Sequence, residues 1–199
     1  MIIYKPYLRE NAVSYAREWA LSRNPLFIDF AGLGGDCTSF VSQSVLAGSC
    51  TMNFTRDFGW YYITSFDRAP AWSGVEAFFD FMTQAPEFTA ANGGIGPFGS
   101  ETRRRFAEIG DVVQIANSEG DYYHTLIISR IDEDEIYVCA HTNDALDRPL
   151  SSYDYATERF IHIEGVREEV DEYPCFEDLI NGVALPVLDR DVGDMPEMM

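Results

Sequence analysis

Basic residues are scarce in this sequence: 14 lysines and arginines stand against 33 acidic residues, a net charge of -19 over 199 residues. That balance excludes nucleic acid and an anionic membrane surface as principal partners, since both require a positive footprint. The run Arg103, Arg104, Arg105 is too short to change this and is expected on a solvated helix face. No apolar run approaches the roughly 18 residues that would span a bilayer. The opening MIIYKPYLRENA lacks an apolar core and a small-residue cleavage site, so no signal peptide is expected. Internal repeats and low-complexity blocks are also missing. Cysteines number four, at 37, 50, 139 and 175, with irregular spacing. A chain of this length has no need of disulfide staples, and a soluble protein in a reducing, by default cytoplasmic, compartment is expected.

What is present is enough for a core: 46% of residues are hydrophobic and 14% aromatic. The acidity is uneven, with 11 acidic and 2 basic residues in 164–199. That composition predicts a body over 1–163 and an acidic extension over 164–199 that docks on the body or on a protein partner. Apolar spacing predicts a helix over 11–22, a second from Cys37 to Gly48, and a third over 74–84 capped by Ser73. A short helix near 100–107 carries the arginines. The connection 54–72 is rich in aromatics, and 86–100 reads as a loop. From residue 111 the period changes to two, and DVVQIA, YHTLIISRI, EIYVCAH and RFIHI read as strands. Helices followed by strands give an α+β fold with a mostly antiparallel sheet.

The chemistry-bearing stretch is GLGGDCTSFVSQ, residues 32–43. Asp36 is expected to cap the second helix, and Cys37 opens it on the face of Phe40, Val41 and Val45. The positive end of a helix favours a thiolate, and its free N–H groups, that of Cys37 first, suit an oxyanion. Glycines before it permit close approach of a substrate. Further on, if Asp132 pairs with Glu135 across a tight turn, His124 lies opposite Asn143 and His141 opposite Leu126. Alternation then puts His124, His141 and Asn143 on one face. A slip of one residue brings Asp144 opposite His124 instead. Nucleophile, base, orienting group and oxyanion donors together make a cysteine acyl-transfer site.

GGDCTSFVSQ, GWYY, AWSGVEAFFDFM, GDVVQI, YYHTLII and AHTNDALDRPLSSY together resemble the bacterial putative amidase domain family, over roughly residues 8–163. That family is a papain-like cousin of NlpC-type cell-wall peptidases and CHAP amidases. The resemblance implies a papain-like fold with its Cys-bearing helix packed on the sheet. It implies amide hydrolysis with no cofactor, on a peptide or cell-wall peptide substrate. Cys37 is the implied nucleophile, His124 the base and His141 the third residue, with Asn143 and Asp144 as rivals. Papain-type enzymes place a glutamine six residues before the cysteine; Ala31 stands there, which leaves the oxyanion hole open. Trp60, Tyr61, Tyr62 and Trp72 match the family text and are candidates for a substrate cleft, or for packing the long loop on the core.

Other readings carry less. GIGPFG at 94–99 has the spacing of a dinucleotide loop, but Pro97 sits inside it and no strand precedes it. Cys37, His124 and His141 as a zinc site lack any paired-ligand spacing. A papain-like domain that has lost activity and serves as a binding module is the remaining alternative. Cys50, Cys139, Cys175 and His162 are read as structural.

Overall fold

The computed structural model describes residues 1–32, 35–169 and 174–185. In chain order these form β1 (Ile3–Lys5), α1 (Arg9–Trp19), α2 (Cys37–Ser49), α3 (Pro70–Ser73), α4 (Val75–Met82), α5 (Pro86–Asn92), β2 (Gly96–Thr102), β3 (Val112–Ala116), β4 (Tyr122–Asp132), β5 (Glu135–Ala140), β6 (Ala145–Pro149), β7 (Thr157–Glu168) and α6 (Phe176–Ile180). The arginine stretch makes only one 3-10 turn, Arg104–Phe106, where a longer helix was expected. PEFTAAN is helix α5 and GPFGSET is strand β2, both within the segment read as a loop. Proline at the first turn of α5 and glycine after its end are the signals for that helix.

The sheet runs β1-β7-β3-β4-β5-β6, with β2 also paired to β7, and every pair is antiparallel. Strand β7 continues to Glu168, beyond the expected body boundary at 163. Helix α2 lies in the middle of the molecule, with all 13 of its residues buried. Six of those residues are polar (Thr38, Ser39, Ser42, Gln43, Ser44 and Ser49), and buried hydroxyls and amides of this kind need partners, as Ser44 Oγ finds in the Phe40 carbonyl and Gln43 Oε1 in the Tyr15 hydroxyl. The helix packs on the side of the sheet that carries Val112, Ile127, Cys139, Ile161 and Ile163. A second core on the opposite side gathers Val113, Ile115, Leu126, Ile128, Val138, Ala140 and Phe160, beneath Leu150, Tyr153 and Tyr155.

Cys50 and Cys175 form a disulfide across a sequence separation of 125, while Cys37 and Cys139 are free and buried. This corrects the expectation of four reduced thiols. Such a bond persists in oxidising surroundings, which removes the basis for a reducing compartment. Leu179 and Leu185 enter the main core, and Asn24 Nδ2 donates to the Leu179 carbonyl at 2.9 Å. Residues 174–185 therefore lie on the body and 164–168 belong to β7; residues 170–173 and 186–199 of the acidic stretch fall outside the described residues. None of the described helices is long and apolar enough to cross a membrane.

Candidate active site

The site is built where the N-terminus of α2 meets the ends of β4 and β5. Asp36 holds the N-cap position but does not cap. Its Oδ1 accepts from the Phe30 N–H at 3.3 Å, and its Oδ2 sits 2.6 Å from His141 Nδ1. Thr142 Oγ1 accepts from the Asp36 N–H at 2.8 Å. Thr142 and Asn143 both have left-handed backbone, φ 60° and 68°, a costly conformation for a β-branched residue. That turn aims the Thr142 hydroxyl at Asp36. Asp144 adds a bidentate pair to Arg23 at 2.9 and 3.0 Å, and Arg23 also reaches Asp29. His141, Thr142 and Asp144 thus clasp the loop that delivers Cys37. Asn143 is exposed and takes no part in this.

His141 is 1% exposed and stacks on Phe40 with ring centroids 3.9 Å apart. Its Nε2 lies 2.8 Å from the Trp19 carbonyl oxygen. Both ring nitrogens therefore face acceptors. A neutral imidazole can donate only once, so both contacts are hydrogen bonds when the ring is an imidazolium. The carboxylate of Asp36 supplies the opposite charge. The His141 partners Asp36 and Phe40 stand just before and one turn after Cys37, so the imidazole lies beside the first turn of α2.

His124 is placed differently from the expectation. Asp132 does pair with Glu135, but the ladder slips by one between Ile128 and Arg130, giving Ile127 opposite Cys139. Continuing that register puts His141 level with Thr125, not Leu126. His124 pairs with Ile115, which belongs to the second core. His124 and His141 therefore project from opposite faces of the sheet, and His141 does not orient His124. The physical reason is the bulge: one extra residue inverts every side chain beyond it. His124 rests between Tyr123 and Tyr153 and makes no hydrogen bond among the described residues.

Burial first, and Arg148 second, push the His124 pKa down to about 4, so the ring is neutral at pH 7. An unfolded histidine takes up its proton near pH 6.5, before the folded one does. Stability should therefore fall as pH drops from 6.5 to 4, by about 3 kcal/mol from this group, and stay unaffected by it above that window. His124→Leu should remove that part of the acid sensitivity in urea unfolding across the window. An unchanged acid slope would contradict the placement.

A row of polar residues missed by the sequence reading crosses the sheet beneath α2. Arg159 on β7, Gln114 on β3 and Thr125 on β4 occupy paired positions. Arg159 Nε donates to Gln114 Oε1 at 2.7 Å, and Gln114 Nε2 to Thr125 Oγ1 at 3.2 Å. Thr125 Oγ1 meets Thr38 Oγ1 at 2.9 Å, and Thr38 Oγ1 lies 3.8 Å from Cys37 Sγ. Among the described residues that is the only hydrogen-bond partner of the thiol, and nothing accepts from the N–H groups of Cys37, Thr38 or Ser39. The signal was present: a glutamine inside the otherwise apolar β3 and a threonine before the apolar run of β4, both at inward positions.

Trp60 and Trp72 are fully buried and share Ser42 of α2: Trp60 Nε1 donates to its Oγ, which donates to the Trp72 carbonyl. Tyr61 is 7% exposed and donates to Asp67. Tyr62 OH accepts from the Ile28 N–H. These rings fix the long connection against α2 rather than lining a substrate cleft. Cys37, His124 and His141 are not gathered for zinc, and no group of three or more His, Cys, Asp or Glu among the described residues is arranged to hold a metal ion.

No curated protein and no solved structure matches the chain. Residues 6–164 match the family model of the putative amidase domain, and the chain belongs to that family.

Proposed function

We propose that this amidase-family domain cleaves an amide bond through a thioester on Cys37, with His141, held by Asp36, as its proton donor. The observation that carries this reading is the buried Asp36–His141 contact at 2.6 Å beside the first turn of α2. Cys37 as thiolate attacks the carbonyl carbon, and the N–H groups at the start of α2 face the oxyanion. The C–N bond breaks as the Nε2 proton, held on the Trp19 carbonyl at rest, passes to the leaving amine. Water then attacks the thioester and returns a proton to His141, releasing the acid and the thiolate. An amine in place of water would give acyl transfer. A Cys-bearing helix packed on an antiparallel sheet supports a papain-like fold, and a peptide or cell-wall peptide fragment is the proposed substrate class.

One observation favours a second reading. His124 is the imidazole that the family resemblance marks as base; it is neutral at pH 7, makes no hydrogen bond among the described residues and is 6% exposed. Turnover of a panel of peptide p-nitroanilides separates the two. Cys37→Ala should abolish release of p-nitroaniline. His141→Gln should lower it by about 10²–10⁴, as loss of an acid–base group does, with His124→Leu little changed. Loss in His124→Leu alone would transfer the role to His124. Undiminished turnover by Cys37→Ala would overturn the mechanism, and a fold that binds peptides without any turnover would be the binding module.

A further inference from the structure

We infer that Arg159, Gln114, Thr125 and Thr38 form a one-way chain of hydrogen-bond donors that ends on Cys37 Sγ and makes Thr38 a positioning residue for the nucleophile. The inference rests on Cys37 being the nucleophile. The direction of the chain follows from its ends. Arg159 can only donate, so the Gln114 amide must turn its oxygen toward it. The Val75 carbonyl, 2.9 Å from Gln114 Nε2, can only accept, and it demands the same orientation. The amide is therefore fixed from both sides, and its nitrogen also donates to Thr125 Oγ1.

Having accepted that bond, Thr125 has one proton to place, and its remaining partner among the described residues is Thr38 Oγ1. Thr38 accepts it, and its own proton points to the remaining contact, Cys37 Sγ. A hydroxyl donor aimed at sulfur favours the thiolate, because a hydrogen bond to the charged form is the stronger one. Thr38, Thr125 and Gln114 have no solvent exposure, so water does not compete with or reverse the chain. Its anchor is rigid. The Arg159 guanidinium lies between the rings of Phe79 and Tyr122, at 3.7 and 3.8 Å from their centroids.

The test is the rate of Cys37 alkylation by iodoacetamide at pH 7, read by peptide mass spectrometry on the intact chain. Thr38→Val should slow labelling about tenfold, the scale of one charge-assisted hydrogen bond, and Thr38→Ser should restore it. Gln114→Glu is the sharper variant. A carboxylate accepts at both ends, so Thr125 turns its proton to position 114 and Thr38 turns its own to Thr125. Labelling should then slow although both threonines remain, with folding checked by thermal denaturation. Labelling in Thr38→Val equal to wild type, or a Gln114→Glu chain that folds and labels at the wild-type rate, would overturn the relay. Those outcomes are separate from loss of the catalytic reading, which is decided by turnover of Cys37→Ala.

Discussion

Asp36→Ala is expected to lower stability by about 3 kcal/mol, the upper end of the cost of leaving buried hydrogen-bonding groups without a partner. Both side chains of the Asp36–His141 pair are 1% exposed. Removing the carboxylate leaves a buried imidazole between the Trp19 carbonyl and an empty position. Arg23, whose Nε lies 3.6 Å from Asp36 Oδ2, loses a charged neighbour. The Phe30 N–H loses its acceptor as well. The double variant Asp36→Ala, His141→Ala should cost less than the two single costs together, because both single variants lose the same contact. Urea unfolding of the four proteins measures this, and additive costs would contradict a direct Asp36–His141 coupling.

The second large effect belongs to the disulfide. Reducing Cys50–Cys175, or replacing both residues with serine, should cost about 4 kcal/mol, since a closed loop of more than a hundred residues restrains the unfolded chain strongly. The bond joins the residue after the end of α2 to the segment before α6. Its loss frees Leu179 and Leu185 to leave the core. The urea midpoint with and without reductant reads the effect. A midpoint that does not move would mean that the packing of α6 alone secures this segment.

Much of the layout is legible in the sequence. The Cys37 helix, the Asp132–Glu135 turn and the antiparallel sheet follow from spacing and composition. The faces of the histidines did not follow, because a single-residue slip after Ile128 leaves no mark in the alternation. Helix α5 and strand β2 were hidden by glycines at 93, 94 and 96, which punctuate the chain without ending its structure. The cysteine pairing was hidden by distance along the chain. Asp36 was chemically suited to cap α2, and tertiary structure gave it to His141 instead. Gln114, Thr125 and Arg159 went unnoticed because an isolated polar residue in a strand acquires meaning only from its cross-strand neighbours.

The most direct test of the central claim is the rate of Cys37 alkylation between pH 5 and 9, compared with Cys139 and repeated in His141→Gln and His124→Leu. The account predicts that Cys37 labels faster than Cys139 below about pH 8, the ordinary range of a free thiol. It predicts that His141→Gln slows this labelling and that His124→Leu does not. Labelling of Cys37 no faster than Cys139, or slowing by His124→Leu alone, would contradict it.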